Sequence, residues 1–155
     1  MSKPGLTPLF SKKDTDNWID TFQEEAEQKF RVLLQAAGEM FVKYARESGK
    51  YIDHTGNLRS SIGYVVTDDG VWWQDNFEWK NVGTDGKEGY MKAKRLATGL
   101  ANTYNMGLVL IGVAGEDYAV YVEAIESKDV ITAANIKTEE WMRKAIRSVF
   151  KKANI

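Results

Sequence analysis

The sequence predicts an α+β fold: a long N-terminal helix and a C-terminal helix packed on a small, mainly antiparallel β-sheet. Two observations predict it. Apolar residues recur at helical spacing near both ends of the chain, whereas short β-branched and aromatic runs separated by glycine occupy the middle. The chain has 155 residues, of which 43% are hydrophobic and 28% charged, which is typical of one globular domain.

The start of the chain is predicted to be an arm rather than part of the domain. Pro4, Gly5 and Pro8 oppose regular structure within residues 1–13, so a single domain is expected at 14–155. Two interpretations of this arm stay open. It is either a flexible tail or a docking segment that folds onto a neighbouring subunit.

A long helix is predicted from about Asp16 to Ser48. Asp14 or Asp16 can cap its start, and Gly49 is a natural stop. Because this length exceeds that of an average helix, we expect it either to kink near Gly38 or to project beyond its core. The apolar residues of its stripe are expected to pack in the core: Trp18, Phe22, Ala26, Phe30, Leu33, Leu34, Ala37, Phe41 and Tyr44.

The middle of the chain is predicted to be a hairpin followed by a long loop. Residues 55–62 indicate a short helical turn capped by Thr55, leading into a strand. Asp68-Asp69-Gly70 is a tight hairpin signal, after which Val71–Gln74 returns as the second strand. Four glycines interrupt residues 75–106, which are predicted to be a loop with room for a short basic helix.

The last third is predicted to supply the central strand and the final helix. Gly107–Ala114 is almost continuously apolar, as a strand buried on both faces would be. Residues 118–124 fit a strand or a short helix, and residues 126–137 fit a loop. Thr138 is predicted to cap the final helix. Its buried stripe would contain Trp141, Ala145, Ile146, Val149 and Phe150.

Composition excludes several kinds of chemistry. The chain has no Cys and one His, which excludes disulfides, thiol nucleophiles and multi-His metal sites. The glycines at 83–89 form no phosphate-binding motif and no carboxylate pair points to acid–base catalysis, so we expect no catalytic, metal or cofactor site and no small-molecule substrate. Asp53, His54 and Ser61 would be the components of a hydrolase, but neighbouring loop residues seldom converge in a triad. The longest apolar run is too short to span a membrane.

Aromatic residues supply the most informative candidate site. Three of the five tryptophans lie between positions 72 and 79. Strand alternation places Trp72 and Trp73 on opposite faces, so at most one is expected to pack inward. The candidate interface is Trp72, Trp73, Phe77, Trp79 and Tyr90. It is either a contact with a partner or an intramolecular core.

A basic segment surrounds Tyr90 and is a candidate for contact with DNA. Its residues are Lys87, Lys92, Lys94 and Arg95. Such a patch can contact phosphates and stack on bases, although a solvated helix face beside a structural tyrosine is the favoured explanation. The net charge is −1, so no overall electrostatic attraction to nucleic acid is expected. An accessory DNA-contacting domain is thus the alternative function, and it predicts salt-sensitive binding.

Two segments in this order resemble a family of tailed-bacteriophage proteins called minor tail components, neck proteins or head–tail joining proteins. The first segment contributes Thr55, Gly56, Leu58, Arg59, Ser61 and Ile62. The second contributes Tyr118, Ala119, Tyr121, Val122 and Glu123. The resemblance covers roughly residues 15–150, and it implies structural roles for these residues. The chain departs from the family pattern after Glu123, where it reads Ala124-Ile125 instead of an aromatic-Gly-Thr turn.

The resemblance implies a structural virion protein and not an enzyme. Such subunits are made in the bacterial cytoplasm and form rings in the neck or tail of the virion. Their partners are their own copies, portal-side or tail proteins, and non-specifically the DNA in the channel. Charge is separated in a way that suits stacked subunits, because residues 14–27 carry six acids and no base, whereas residues 143–152 carry five bases and no acid.

Overall fold

A computed structural model describes residues 9, 11–47, 57–79, 86–114 and 131–152. The elements confirm the α+β class. In chain order they are α1 (Lys12–Glu47), α2 (Asn57–Ser60), β1 (Ile62–Asp68), β2 (Val71–Asp75), α3 (Lys87–Thr103), β3 (Leu108–Ala114) and α4 (Thr132–Lys152). The predictions for the caps at Thr55 and Gly49 and for the segment 118–124 lie outside the described residues.

The described strands form one antiparallel sheet in the order β2-β1-β3. The predicted hairpin between β1 and β2 is confirmed. Asp69 and Gly70 have φ angles of 48° and 79°, as the tight turns that suit twisted strands require. The Asp69 carboxylate also accepts a 2.7 Å hydrogen bond from the backbone N–H of Gly107, which ties the turn to the residue before β3.

The central strand of the described sheet is β1, whereas the sequence predicted that Gly107–Ala114 would be central. Residues 62–67 are all buried, and β3 is mostly half-buried at the edge of the three strands. The more apolar sequence is therefore not the more buried one. The central strand contains Gly63, Tyr64 and Thr67, none of which is strongly apolar. Their burial depends on close packing against both faces of the strand rather than on high hydropathy.

Helices cover both faces of the sheet. One face packs against the second half of α1 together with α2 and α4 in a core of Phe41, Val42, Ala45, Leu58, Ile62, Tyr64, Val66 and Ala134. The other face packs against α3 in a core of Val65, Phe77, Ala93, Ala97, Ala101, Ile111 and Val113. Alternate residues of β1 therefore enter different cores, as the two-residue period of a strand requires.

The helix α3 corrects the prediction of a long loop at 75–106. It has 17 residues, and its buried residues are small and recur every fourth position: Gly89, Ala93, Ala97 and Ala101. This stripe lets the helix backbone lie close to the sheet. A prediction based on large apolar residues misses such a stripe, and the glycines there resemble loop residues.

The helix α1 begins earlier than predicted and has 36 residues. Its capping residue is Ser11 rather than Asp14 or Asp16. The Ser11 hydroxyl accepts a 3.2 Å hydrogen bond from the Asp14 N–H, and the Asp14 carboxylate accepts a 2.8 Å bond from the Ser11 N–H. The Ser11 hydroxyl also donates a 2.7 Å hydrogen bond to the Asp14 carboxylate, and this bond, together with the one from the Ser11 N–H, lowers the pKa of Asp14. Lys12 and Lys13, predicted to belong to the arm, are helical.

The chain divides into two compact units, Met1–Val32 and Leu33–Ile155, with the boundary inside α1. The helix continues through Gly38, where a kink was one of the two expectations. Gly38 serves packing instead. A Cβ atom at this position would lie 2.3 Å from the ring of Tyr64, so only glycine lets the ring approach the helix.

The helix α4 begins at Thr132, so the predicted cap at Thr138 is wrong. Thr138 lies inside the helix, where its hydroxyl donates a 2.7 Å hydrogen bond to the carbonyl of Ala134. Val149, predicted to be buried, is exposed. Trp141 is partly buried, as are Ala145 and Ile146. None of the described helices combines the length and apolar character needed to cross a membrane.

Candidate functional site

Trp72 and Trp73 pack on opposite faces of the sheet, as strand alternation predicts. Trp72 lies against the α3-side core, and Trp73 lies against the core that contains Phe41. The expectation that at most one of them packs inward is wrong, because helices cover both faces. The register between β1 and β2 shifts here: Val66 faces Gln74 and Thr67 faces Trp72, which makes Trp73 an extra residue.

Phe77 belongs to the core rather than to an open surface. It is 8% exposed, and its ring lies 5.8 Å from that of Trp72 at an angle of 32°. A Cβ atom at Gly63 would meet the Phe77 ring at 2.3 Å. Trp79 is different, because 55% of it is exposed. Of the predicted aromatic interface, Trp79 is the member that offers a large apolar surface to a partner.

Tyr90 and Lys94 close the edge of the same core. The Lys94 ammonium lies 5.7 Å from the centre of the Trp72 ring and 5.5 Å from that of Tyr90. It also donates a 3.4 Å hydrogen bond to the Tyr90 hydroxyl. These contacts engage Lys94 within the chain through cation–π attraction. They favour the intramolecular interpretation of the aromatic cluster at this position.

The four basic residues of α3 lie on one half of the helix surface, and two of them are engaged within the chain. Lys87 and Lys94 are seven residues apart and share a side of the helix, whereas Lys92 is two residues from Lys94 and points to a different side. Lys92 also forms a 3.1 Å ion pair with Glu88. Lys87 and Arg95 are exposed. Lys92 and Arg95 are three residues apart and are therefore neighbours on the helix surface, so contact of this segment with DNA stays a prediction.

The first family segment is a buried structural turn. Leu58, Ser60, Ser61 and Ile62 are fully buried, and Arg59 is half-buried. The Ser61 hydroxyl donates a 2.7 Å hydrogen bond to the carbonyl of Leu58. Ser61 is thus buried and placed to stabilise the turn. Asp53, His54, Thr55, Gly56 and the whole second family segment lie outside the described residues.

Two polar side chains of α1 hold the helix on the sheet. The guanidinium of Arg46 donates a 2.8 Å hydrogen bond to the carbonyl of Ile62 and lies 3.7 Å from the Glu78 carboxylate. Glu39 accepts hydrogen bonds from the Tyr64 hydroxyl at 2.9 Å and from the Asn76 amide at 2.6 Å. Burial and the Glu39 carboxylate raise the pKa of Tyr64. Helical patterning cannot identify these contacts, because their partners are distant in sequence.

An exposed apolar surface that the sequence analysis did not predict lies on the first half of α1. Trp18 is 69% exposed and Phe22 is 55% exposed, although both were predicted to be buried. Their rings stack with centres 6.0 Å apart and an angle of 21° between the planes. Ile19, Phe30 and Val32 are also exposed. We call the face formed by Trp18, Phe22, Ala26 and Phe30 the α1 stripe.

An open groove of about 620 Å³ lies between the second half of α1, β3 and α4. Its apolar walls and floor include Leu34, Phe41, Leu110, Met142 and Ile146. Arg143 also lines it and forms an ion pair with Glu139 at 2.7 Å. We call this feature the α4 groove. Within the described ranges, no group of three acidic or histidine side chains could hold a metal ion.

Most of the predicted aromatic interface is thus packed against the two cores. The apolar surfaces that stay open in the described part of the chain include the α1 stripe and the α4 groove. The chain matches the family model described as "Bacteriophage HK97-gp10, putative tail-component" over residues 13–124. The match covers well over half of the chain, and the chain belongs to this family of phage structural components. It includes both segments from which the resemblance was inferred. Comparisons with curated proteins and with solved structures give no match.

Proposed function

We propose that this protein is a head–tail joining or tail-completion subunit that assembles as a ring between the portal complex and the tail of a phage virion. The observation that carries the proposal is the family match over residues 13–124. A tail component acts through contacts with other virion proteins, and the surfaces of this chain suit such a role.

Charge distribution supports assembly of complementary faces. The acidic residues 14–27 lie on α1 and the basic residues 143–152 lie on α4, and most of these charged side chains are exposed. Opposite charges on separate surfaces favour one orientation between copies and disfavour others. A contact between two different surfaces of the same chain closes into a ring when its rotation allows.

The rigid core is suited to a structural role. The buried turn at Leu58–Ile62, the two-faced sheet and the Arg46 contact hold the second unit in one arrangement. Most polar side chains described above serve packing, capping or ion pairing. The function therefore depends on what the exposed surfaces bind.

Electron microscopy tests the proposal on the protein co-expressed with the portal-side and tail-tube proteins of the same phage. We expect ring-shaped particles that contain several copies of this chain and that bind one or both partners. A chain that forms no ring and binds neither partner would contradict the proposed function. A monomeric isolated chain would not contradict the proposal, because such a subunit can assemble on a template that its partner proteins form.

A further inference from the structure

We propose that the α1 stripe of one copy docks in the α4 groove of a second copy, an inference that rests on the ring assembly proposed above. Each copy then carries both halves of the contact: the stripe in its first unit and the groove in its second. The occupant of the groove is a second copy of this chain.

The α1 stripe has the features of a surface that is covered in an assembly. Trp18, Phe22, Ala26 and Phe30 follow one another every fourth residue, so they lie along one side of the helix. Large aromatic side chains bury roughly 150–250 Å² each, so Trp18 and Phe22 together supply roughly 300–500 Å². A specific interface needs roughly 800 Å² from each partner, and these two side chains can therefore form its centre.

Charge argues against pairing between two α1 stripes. Residues 14–27 carry six acids and no base, so two copies of this segment side by side would bring like charges together. Such juxtaposition disfavours an interface. The stripe is thus better matched to an apolar surface bordered by basic residues.

The α4 groove meets both requirements. Leu34 and Phe41 form one apolar wall, and Met142 and Ile146 form the other. Arg143 lies at the groove in its ion pair with Glu139, and the exposed Arg147 follows one turn later along the same side of α4. An α1 helix seated in the groove would place its apolar side against these walls and would bring Glu25, which borders the stripe, near Arg143 and Arg147.

Cysteine cross-linking tests the contact, and no native cysteine can form competing disulfides, because the chain has no Cys. Ala26→Cys places a thiol on the stripe and keeps its aromatic rings. Asn135→Cys and Met142→Cys place thiols at two points along the groove. Two tagged single-cysteine variants, one of each kind, are co-expressed with the portal-side and tail-tube proteins, and the resulting particles are oxidised. We expect a mixed disulfide dimer with at least one groove variant, because the bond forms only when the Cα atoms come within about 7 Å.

Glu24→Cys is the matched control, because Glu24 is exposed on the same helix but lies away from the stripe. It should yield at least about tenfold less mixed dimer than Ala26→Cys. The absence of a mixed dimer with both groove variants would overturn the inference. Preferential cross-linking between two Ala26→Cys chains would also overturn it, because it would show pairing of two α1 stripes.

A second measurement separates this inference from the proposed function. The double variant Trp18→Ser/Phe22→Ser is examined by electron microscopy beside the unsubstituted chain, both co-expressed with the portal-side and tail-tube proteins. Rings in the unsubstituted chain that are lost in the variant support both proposals. Rings in both chains overturn the docking inference alone, and no ring or partner binding in the unsubstituted chain overturns the proposed function.

Discussion

The two halves of α1 have the same sequence pattern but different surroundings. In both halves, large apolar residues recur every three or four positions. Phe41 in the second half is 6% exposed and packs against the sheet, whereas Phe22 in the first half is 55% exposed. Periodicity therefore predicts that a helix has an apolar face, but it does not predict whether the same chain covers that face.

The two halves of α1 also differ in the contacts that they make within the chain. The second half contacts the core through Gly38 and Phe41 and forms polar contacts through Glu39 and Arg46. The first half presents Trp18 and Phe22 without comparable burial. A large exposed apolar face on a protein of an assembling family is a candidate for a subunit contact.

The same substitution in both halves gives the largest expected contrast. Phe41→Ala should lower the free energy of unfolding by roughly 3–5 kcal/mol, because it removes a buried ring and leaves a cavity. Phe22→Ala should change it by less than about 1 kcal/mol, because that ring is mostly exposed. Denaturant titration of dilute protein measures both values. Equal losses in the two variants would show that the two halves do not differ as described.

A glycine pair tests how tightly the second half packs. Gly38→Ala should destabilise the fold by roughly 2–3 kcal/mol, because the new Cβ would lie 2.3 Å from the Tyr64 ring. Gly99 lies in α3 with no atom within 4 Å of the corresponding position. Gly99→Ala should therefore stabilise the fold by about 0.5–1 kcal/mol through better helix propensity. Thermal unfolding compares the two, and a stabilised Gly38→Ala variant would contradict the close contact.

The contact between Tyr64 and Glu39 predicts a smaller effect that depends on pH. Because the pKa of Tyr64 is raised in the folded state, its contribution to stability is fully present below pH 10 and decreases as pH rises above it. Tyr64→Phe should cost about 1 kcal/mol at neutral pH through the lost hydrogen bond. It should also make the decline above pH 10 shallower, by at most about 1.4 kcal/mol per pH unit.

Denaturant titrations at several pH values between 8 and about 11 compare Tyr64→Phe with the unsubstituted chain. Equal slopes for Tyr64→Phe and the unsubstituted chain would show that the Tyr64 hydroxyl does not contribute to the pH dependence.

The sequence was sufficient for the features that local chemistry determines. The long helix, the hairpin at Asp69-Gly70 and the strand at Leu108–Ala114 follow from periodicity and turn residues. The family segment was recognised from residues whose burial in the turn explains their identity, such as Leu58 and Ile62. Each of these features depends mainly on residues close together in the chain.

Other features depend on neighbours that are distant in sequence. The stripe of Gly89, Ala93, Ala97 and Ala101 forms a buried helix face only because the sheet lies against it. Trp72 and Trp73 both pack inward because helices cover both faces of the sheet. The exposure of Trp18 could not be predicted, because an amphipathic stripe has the same pattern whether it meets its own chain or another one.

The central claim is that the α1 stripe is an assembly surface and not part of the core. Its most direct test is the particle mass of the unsubstituted chain and of Trp18→Ser/Phe22→Ser, each co-expressed with the portal-side and tail-tube proteins and measured by native mass spectrometry. We predict a multi-copy assembly for the unsubstituted chain and a folded variant that no longer assembles. A variant that forms assemblies of the same mass and abundance would contradict the claim.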